Sequence, residues 1–130
     1  MSHPNENRLR AAYATFAQGD LAGFLAACTD DVTFSVPGET QASGVFTKQT
    51  FISWITRIIG LTAGTFREDV IDVFANDDHG VLLLRHEFQR GGRHEYRTAH
   101  ICELRNGKIA TWTEHPGSLT EFEAAWGRAD

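Results

Sequence analysis

The sequence has few cysteines, no basic cluster and no long uncharged segment, and each absence excludes a class of protein. Two cysteines among 130 residues, Cys28 and Cys102, are too few and too far apart for a disulfide framework or a zinc site. No stretch without Asp, Glu, Lys or Arg exceeds nine residues, so we expect no membrane span. The polar N-terminus lacks the apolar stretch of a secretory signal, and a cytoplasmic location is therefore expected.

The charge balance argues against nucleic acid as the main partner. Lys and Arg number 12 and Asp and Glu number 17, which gives a formal net charge of −5, and no run of Lys or Arg occurs. What the chain does contain is 42% hydrophobic and 22% charged residues, a composition typical of a packed core. Its length fits one domain over residues 1–130.

Helical signals lie in the first half of the chain and at its end. Asn5 is expected to cap a first helix, Asp20 a second and Thr47 a third, because such side chains accept hydrogen bonds from free backbone N–H groups. Ser118 and Glu121 match a capping box, which predicts a short C-terminal helix.

Strand signals dominate after Gly64, where the apolar period changes from that of a helix to two. An early strand is predicted at residues 32–36, followed by a loop at 39–46. Four further strands are predicted at 66–75, 81–90, 93–105 and 108–115. Short connections between them make an antiparallel meander. The predicted fold class is α+β: a cone-shaped, curled antiparallel sheet packed with three N-terminal helices and a short C-terminal helix around an apolar pocket.

The register of two hairpins determines which side chains face that pocket, because a slip of one residue moves every side chain to the other face. With two-residue loops, His86 and His100 would point to opposite faces. We favour three-residue loops at 90–92 and 105–107, since each ends in a glycine suited to a left-handed conformation.

This register gathers a candidate pocket wall on one face of the sheet. It pairs His86 with Tyr96 and His100 with Trp112, and it makes Glu114 a diagonal neighbour of His100. The predicted inward face is mostly apolar or aromatic and comprises Leu82, Leu84, His86, Phe88, Tyr96, Thr98, His100, Cys102, Trp112 and Glu114.

Three segments carry a resemblance to a known family: residues 13–20 (YATFAQGD), 30–38 (DDVTFSVPG) and 100–109 (HICELRNGKI). Together with the order of the predicted helices and strands, these segments resemble the ketosteroid isomerase-like and SnoaL-like branch of the nuclear transport factor 2-like superfamily. The resemblance implies a cone-shaped sheet closed by helices. It also implies isomerase, polyketide cyclase or lyase activity, or a non-catalytic role, in a protein that is often dimeric and works without metals.

Residue by residue, the chain departs from the steroid isomerases of this family. Val36 stands where the resemblance places the general base Asp, and Ala12 where it places an oxyanion-binding Tyr, with Tyr13 one residue out of phase. His100 stands where the family has a protonated Asp. Ketosteroid isomerisation is therefore not expected here.

The remaining chemistry rests on four candidate catalytic residues. His100 is the leading acid or base, Glu114 its carboxylate partner, and His86 and Tyr96 are polar anchors for a substrate oxygen. The alternatives are a core histidine satisfied by a hydroxyl, a solvated carboxylate and an ordinary cross-strand pair. No HxH or HExxH spacing occurs, so neither a metal nor a cofactor is expected.

The predicted function follows from these residues and from bulky side chains expected to bind substrate, namely Phe34, Trp54, Phe66, Leu84, Phe88, Thr98 and Trp112. The first hypothesis is a cofactor-free acid/base enzyme of isomerase, cyclase or dehydratase type, acting on an apolar, oxygenated, cyclic or polyketide-like molecule. The second is a non-catalytic ligand-binding or dimerisation module. The expected partners are a small apolar ligand and a second copy of the chain, but neither nucleic acid nor membrane.

Overall fold

The structure is a computed structural model that describes residues 3–128 as a six-stranded sheet with helices packed against it. The helices are α1 (Pro4–Ala17), α2 (Leu21–Ala26), α3 (Phe51–Leu61) and α4 (Leu119–Trp126), and the strands are β1 (Cys28–Val36), β2 (Gly44–Thr47), β3 (Arg67–Ala75), β4 (His79–Gln89), β5 (Arg93–Arg105) and β6 (Lys108–Pro116). The predicted α+β class with a curled, unclosed sheet is confirmed. Within the described residues, no helix has the length and apolarity that a membrane crossing requires.

The strand order is β2-β1-β6-β5-β4-β3, and one pair departs from the predicted antiparallel pattern. Strands β3 to β6 form the expected antiparallel meander, whereas β1 lies parallel to β6. Parallel pairing is possible because the long segment containing α3 and four strands separates β1 from β6 in the chain.

Two of the four predicted helix caps are confirmed. The Asp20 carboxylate accepts from Gly23 N–H at 2.8 Å, and the Ser118 hydroxyl accepts from Glu121 N–H at 3.1 Å. Asn5 is not a cap, because α1 already begins at Pro4 and the His3 ring accepts from the Asn5 N–H.

The prediction for residues 39–50 is wrong in two respects. Thr47 ends strand β2 rather than capping α3, which begins after Thr50. Strand β2 itself falls partly in the expected loop, since residues 44–47 pair antiparallel with β1 at the sheet edge. A four-residue edge strand carries too little alternation to be recognised from sequence.

The first hairpin register is as predicted, whereas the second differs. Residues 90–92 form a three-residue loop, and His86 lies opposite Tyr96. The β5–β6 hairpin instead has a two-residue loop, Asn106 and Gly107, both with positive φ, and an irregularity near Leu104 then shifts the register. The result is that His100 lies opposite Glu114 and not opposite Trp112.

The helices cover the concave face of the sheet and bury an aromatic cluster there. Phe34 of β1 packs against both Phe24 of α2 and Phe51 of α3, with ring centroids 6.3 and 4.9 Å away. All ten side chains predicted to face inward are buried. The observed register of β5 and β6 differs from the predicted one by two residues. Because side chains alternate with period two, each predicted inward residue still points to the inner face of the sheet.

Candidate active site

A cavity of about 630 Å³ lies between the helices and the concave face of the sheet. Its volume is in the range that holds a small organic ligand. The wall is mostly aromatic and aliphatic, and it includes four of the predicted substrate-binding residues, namely Phe34, Trp54, Phe66 and Trp112. His86, Tyr96, His100 and Glu114 also line the cavity and supply its polar groups.

The other three predicted substrate-binding residues do not line the cavity, which corrects the prediction. The Leu84 side chain is fully buried, and Phe88 stacks behind Trp126 with ring centroids 4.2 Å apart. The Thr98 hydroxyl is turned to the Glu114 carboxylate, to which it donates at 3.0 Å. These three residues therefore support the wall from behind.

The mouth of the cavity is marked by its exposed lining residues. They are Ala17 and Gly19 at the end of α1, Ile59 and Gly64 near the end of α3, and Arg67 at the start of β3. Ile59 is 50% exposed, so an apolar side chain lies at this entrance.

His100 stands at the buried end of the cavity in a chain of hydrogen bonds. The Trp112 indole N–H donates to the Tyr13 hydroxyl oxygen at 2.7 Å, and that hydroxyl lies 2.7 Å from His100 Nδ1. The other ring nitrogen, His100 Nε2, is buried and has no hydrogen-bond partner among residues 3–128. A buried donor without an acceptor is costly, which makes this atom a candidate contact for a ligand.

Glu114 lies between the two histidine rings. Its Oε1 is 3.6 Å from His100 Nε2, and its Oε2 is 3.6 Å from His86 Nδ1. Both separations exceed hydrogen-bonding distance, so within the described residues Thr98 alone bonds directly to the carboxylate. The carboxylate thus has acceptor capacity left for a ligand.

His86 is the more tightly held of the two histidines. Its Nε2 lies 2.7 Å from Glu68 Oε2, and its Nδ1 lies 3.1 Å from the Tyr96 hydroxyl, which in turn accepts from the Trp126 indole at 2.7 Å. With both ring nitrogens engaged, His86 is less available to a ligand than His100.

Burial and the neighbouring charges shift the pKa values of this cluster. Burial lowers the pKa of His86, but the hydrogen bond to Glu68 and the charge of Glu114 outweigh it, so the pKa is raised. Burial raises the pKa of Glu114, yet the two histidines and Thr98 outweigh that and lower it. Burial also raises the pKa of Tyr13 well above its usual value, which keeps its hydroxyl protonated.

Two members of the cluster were missed in the sequence. Tyr13 was set aside as out of phase, although it lies on the same helical stripe as Leu9, and Ala12 does not line the cavity. Glu68 could have been found from strand alternation, because residues 66, 68 and 70 share a face of β3.

Glu68, His86 and His100 could in principle hold a metal ion, since each offers a ligand atom within 4.8 Å of the others. A metal-bound imidazole nitrogen must carry no proton, and its other nitrogen normally donates a hydrogen bond. The Tyr13 hydroxyl next to His100 Nδ1 is itself placed to donate, because its oxygen already accepts from Trp112. The hydrogen-bond pattern therefore fits a protonated Nε2 better than a metal ligand.

Comparison with known proteins gives a family and several structural neighbours. A family model described as "SnoaL-like domain" matches residues 9–112. An uncharacterised protein from Mycobacterium tuberculosis is 29% identical over 124 residues, covering 91% of this chain and 92% of the relative.

Solved structures match over almost the whole chain. Bal32a from a soil-derived mobile gene cassette has a TM-score of 0.87 and 25% identity, with 95% of this chain and 96% of that chain covered. TerC, co-crystallised with polyporic acid, has a TM-score of 0.79 and 20% identity, with 93% and 97% covered. Several other neighbours are nuclear transport factor 2-like proteins.

Proposed function

Because the chain belongs to the SnoaL-like domain family, we propose that it is a cofactor-free enzyme that moves a proton next to a carbonyl group. The observation that carries this proposal is the unpartnered, buried Nε2 of His100, 3.6 Å from the Glu114 carboxylate at the inner end of an apolar cavity. A donor and a base side by side are what enolisation requires.

In the proposed reaction, Glu114 is the base and His100 the hydrogen-bond donor. A carbonyl oxygen and its α-carbon are roughly 2.4 Å apart, so one ligand can place the oxygen near His100 and the α-hydrogen near Glu114. The α-proton passes to the carboxylate, the C–H electron pair becomes the enol double bond, and the developing oxygen charge is stabilised by the His100 N–H. Isomerisation, cyclisation and dehydration all contain this step.

The cavity wall supports an apolar, cyclic substrate. Trp54 and Phe46 stack at 4.6 Å, and Trp112 lies edge-on to Trp54 at 5.8 Å, so flat aromatic surfaces flank the space. Val36 also lines the cavity and cannot accept a proton. Of the lining carboxylates, Glu68 is bonded to His86 and Asp69 to Arg85, which makes Glu114 the preferred base.

The proposal is tested by hydrogen exchange, which requires no knowledge of the final product. The protein is incubated in D₂O with an aryl-fused cyclic ketone such as 2-tetralone, and deuterium incorporation at the α-carbon is followed by NMR. Glu114→Gln should lower the catalysed rate by at least about 100-fold. The matched control is Glu103→Gln on the outer face of β5. Equal rates for wild type and Glu114→Gln would refute the assignment.

A second candidate function is a binding module without turnover, and the apolar Val36 at the cavity wall favours it. On this alternative, aromatic ketones would bind and quench the fluorescence of the lining tryptophans, but the protein would not accelerate their α-proton exchange. Fluorescence quenching and α-proton exchange, measured on the same ligand, therefore distinguish the two functions.

We also propose that two copies of the chain pair through the outer face of the sheet. Phe74, Val81 and Ile101 form one cross-strand row there, and Phe74 and Ile101 are 51% and 39% exposed. An apolar row of this kind is typical of a protein contact. Sedimentation should give a dimer that Ile101→Lys dissociates, whereas a monomeric wild type would contradict the pairing.

A single domain over residues 1–130 and a cytoplasmic location remain part of the proposal. Limited proteolysis would test the first, because a single domain should yield no stable fragment. Cell fractionation would test the second.

A further inference from the structure

The indole N–H of Trp112 determines the direction of the hydrogen bonds that lead through Tyr13 to His100. An indole nitrogen can only donate a hydrogen bond, so the Tyr13 oxygen, 2.7 Å away, must be its acceptor. Tyr13 keeps one proton of its own, and the acceptor within reach in the described part of the chain is His100 Nδ1 at 2.7 Å. A neutral imidazole that accepts at Nδ1 carries its proton on Nε2.

We propose that Trp112 is a positioning residue that fixes neutral His100 as the Nε2–H tautomer and so makes the inner end of the cavity a hydrogen-bond donor. This inference deepens the proposed function and rests on it for the role of the donor. The order of the groups is Trp112 to Tyr13 to His100, each donating to the next, with a ligand as the final acceptor.

The chemical class of the ligand follows from this polarity. A donor at Nε2 suits a carbonyl or enol oxygen, which accepts a hydrogen bond without bringing a full charge. A carboxylate ligand would be repelled by Glu68 and Glu114, whose side chains are only 11% and 6% exposed. The site therefore takes an uncharged ketone or enol in preference to an acid of the same shape.

The second histidine provides an internal comparison. Trp126, Tyr96 and His86 repeat the same order of side chains, with 2.7 Å from indole to phenol and 3.1 Å from phenol to imidazole. His86 differs because Glu68 takes its Nε2 at 2.7 Å. The first chain of donors ends on a free N–H, whereas the second ends on a carboxylate of the protein itself.

The test reads the tautomer directly. Long-range ¹H–¹⁵N spectra of histidine-labelled protein, recorded at a pH where His100 is neutral, should show a protonated Nε2 and an unprotonated Nδ1. Trp112→Phe removes the indole donor, so the His100 Nδ1 signal should move toward that of a protonated nitrogen. A wild-type ring protonated on Nδ1, or an unchanged tautomer in Trp112→Phe, would overturn the proposal.

Matched controls distinguish the loss of the Trp112 hydrogen bond from a general disturbance of packing in the aromatic wall. Trp54→Phe makes the same change in the same cavity, but the Trp54 indole donates to the Ala42 carbonyl and not to a phenol. It should leave the His100 tautomer unchanged. Trp126→Phe should alter the His86 signals alone. If Trp112→Phe does not fold, Tyr13→Phe removes the same link while keeping the aromatic ring.

Zinc supplies a further outcome that would contradict the proposal. Stoichiometric binding of Zn²⁺, with shifts of the His86 and His100 nitrogen signals, would show that Nε2 readily serves as a metal ligand. Failure of the proposed function gives a different result. In that case the tautomer is as stated and responds to Trp112→Phe, but no α-proton exchange is seen.

Discussion

His100 and Glu114 are direct cross-strand partners on β5 and β6, with 3.6 Å between Nε2 and Oε1. The two groups lie too far apart to bond to each other and close enough to act on neighbouring atoms of one ligand. Thr98 holds the carboxylate and Tyr13 holds the imidazole, each by one hydrogen bond. This arrangement keeps a donor and a base apart until a ligand lies between them.

Removal of the Thr98 hydroxyl should change the pH dependence of catalysis. The hydroxyl donates to the ionised form of Glu114 and helps to lower its pKa, so Thr98→Val should raise that pKa. The acidic limb of the α-proton exchange rate would move to higher pH. The matched control is Thr113→Val on the outer face of β6, which should leave the limb in place. A profile unchanged by Thr98→Val would speak against Glu114 as the base.

The His86 pair should make stability depend on pH. The pKa of His86 is raised in the folded protein, so its contribution is fully present below the unfolded value of about 6.5 and is lost as pH rises through the folded value. The pKa of Glu114 is lowered, so its contribution is present above about 4.5 and is lost as pH falls through the folded value.

Urea unfolding at several pH values measures this effect. We expect the wild type to lose stability between pH 6 and pH 9, and His86→Gln to show a smaller loss over the same interval. His79→Gln, at the exposed first residue of β4, is the control and should follow the wild type. A wild type whose stability rises over this interval would contradict the raised pKa of His86.

Two glycine substitutions should have opposite effects on stability. Gly107 has φ +78°, and an added Cβ would lie 3.0 Å from the Arg8 guanidinium, so Gly107→Ala should destabilise by about 1 kcal/mol or more. Gly60 is an exposed helical residue with no atom near an added Cβ, so Gly60→Ala should stabilise by up to about 1 kcal/mol. A denaturant midpoint of Gly107→Ala at or above that of the wild type would contradict the two-residue hairpin loop, and a lowered midpoint of Gly60→Ala would contradict the open surroundings of that helical residue.

Both cysteines should be unreactive in the native protein. Burial raises the pKa of the Cys28 and Cys102 thiols to about 12. A thiol reagent at pH 8 should therefore label neither residue until denaturant is added, when both should react. Rapid labelling of the folded protein would show that these thiols are not enclosed as described.

The sequence predicted the faces of the sheet better than its register. His86 opposite Tyr96 follows from a glycine-rich three-residue loop, and this pairing is confirmed. The predicted register of the β5–β6 hairpin differs from the observed one by two residues. The prediction assumed a three-residue loop, whereas the structure has a two-residue Asn-Gly turn followed by a bulge. Since side chains alternate with period two, the error left His100 and Glu114 on the correct face.

Contacts between distant elements could not be predicted in the same way. Tyr13 reaches His100 only because α1 lies across the sheet, and the angle of that helix depends on packing that no local pattern encodes. The edge strand β2 and the caps of α1 and α3 were missed because each depends on a few residues. The polar cluster was therefore only partly predictable, and its most informative atom, the unpartnered His100 Nε2, emerged from three-dimensional contacts alone.

The central claim is that an uncharged ligand binds at the inner end of the cavity with its oxygen at His100 Nε2 and its neighbouring carbon at Glu114, and a ligand-bound crystal structure tests it most directly. A naphthol is a suitable ligand, because it mimics the enol of an aryl-fused ketone and does not react. We predict its oxygen within hydrogen-bonding distance of His100 Nε2 and its rings against Trp54 and Trp112. A naphthol oxygen bound at the cavity mouth near Arg67, with His100 Nε2 still without a partner, would contradict the account.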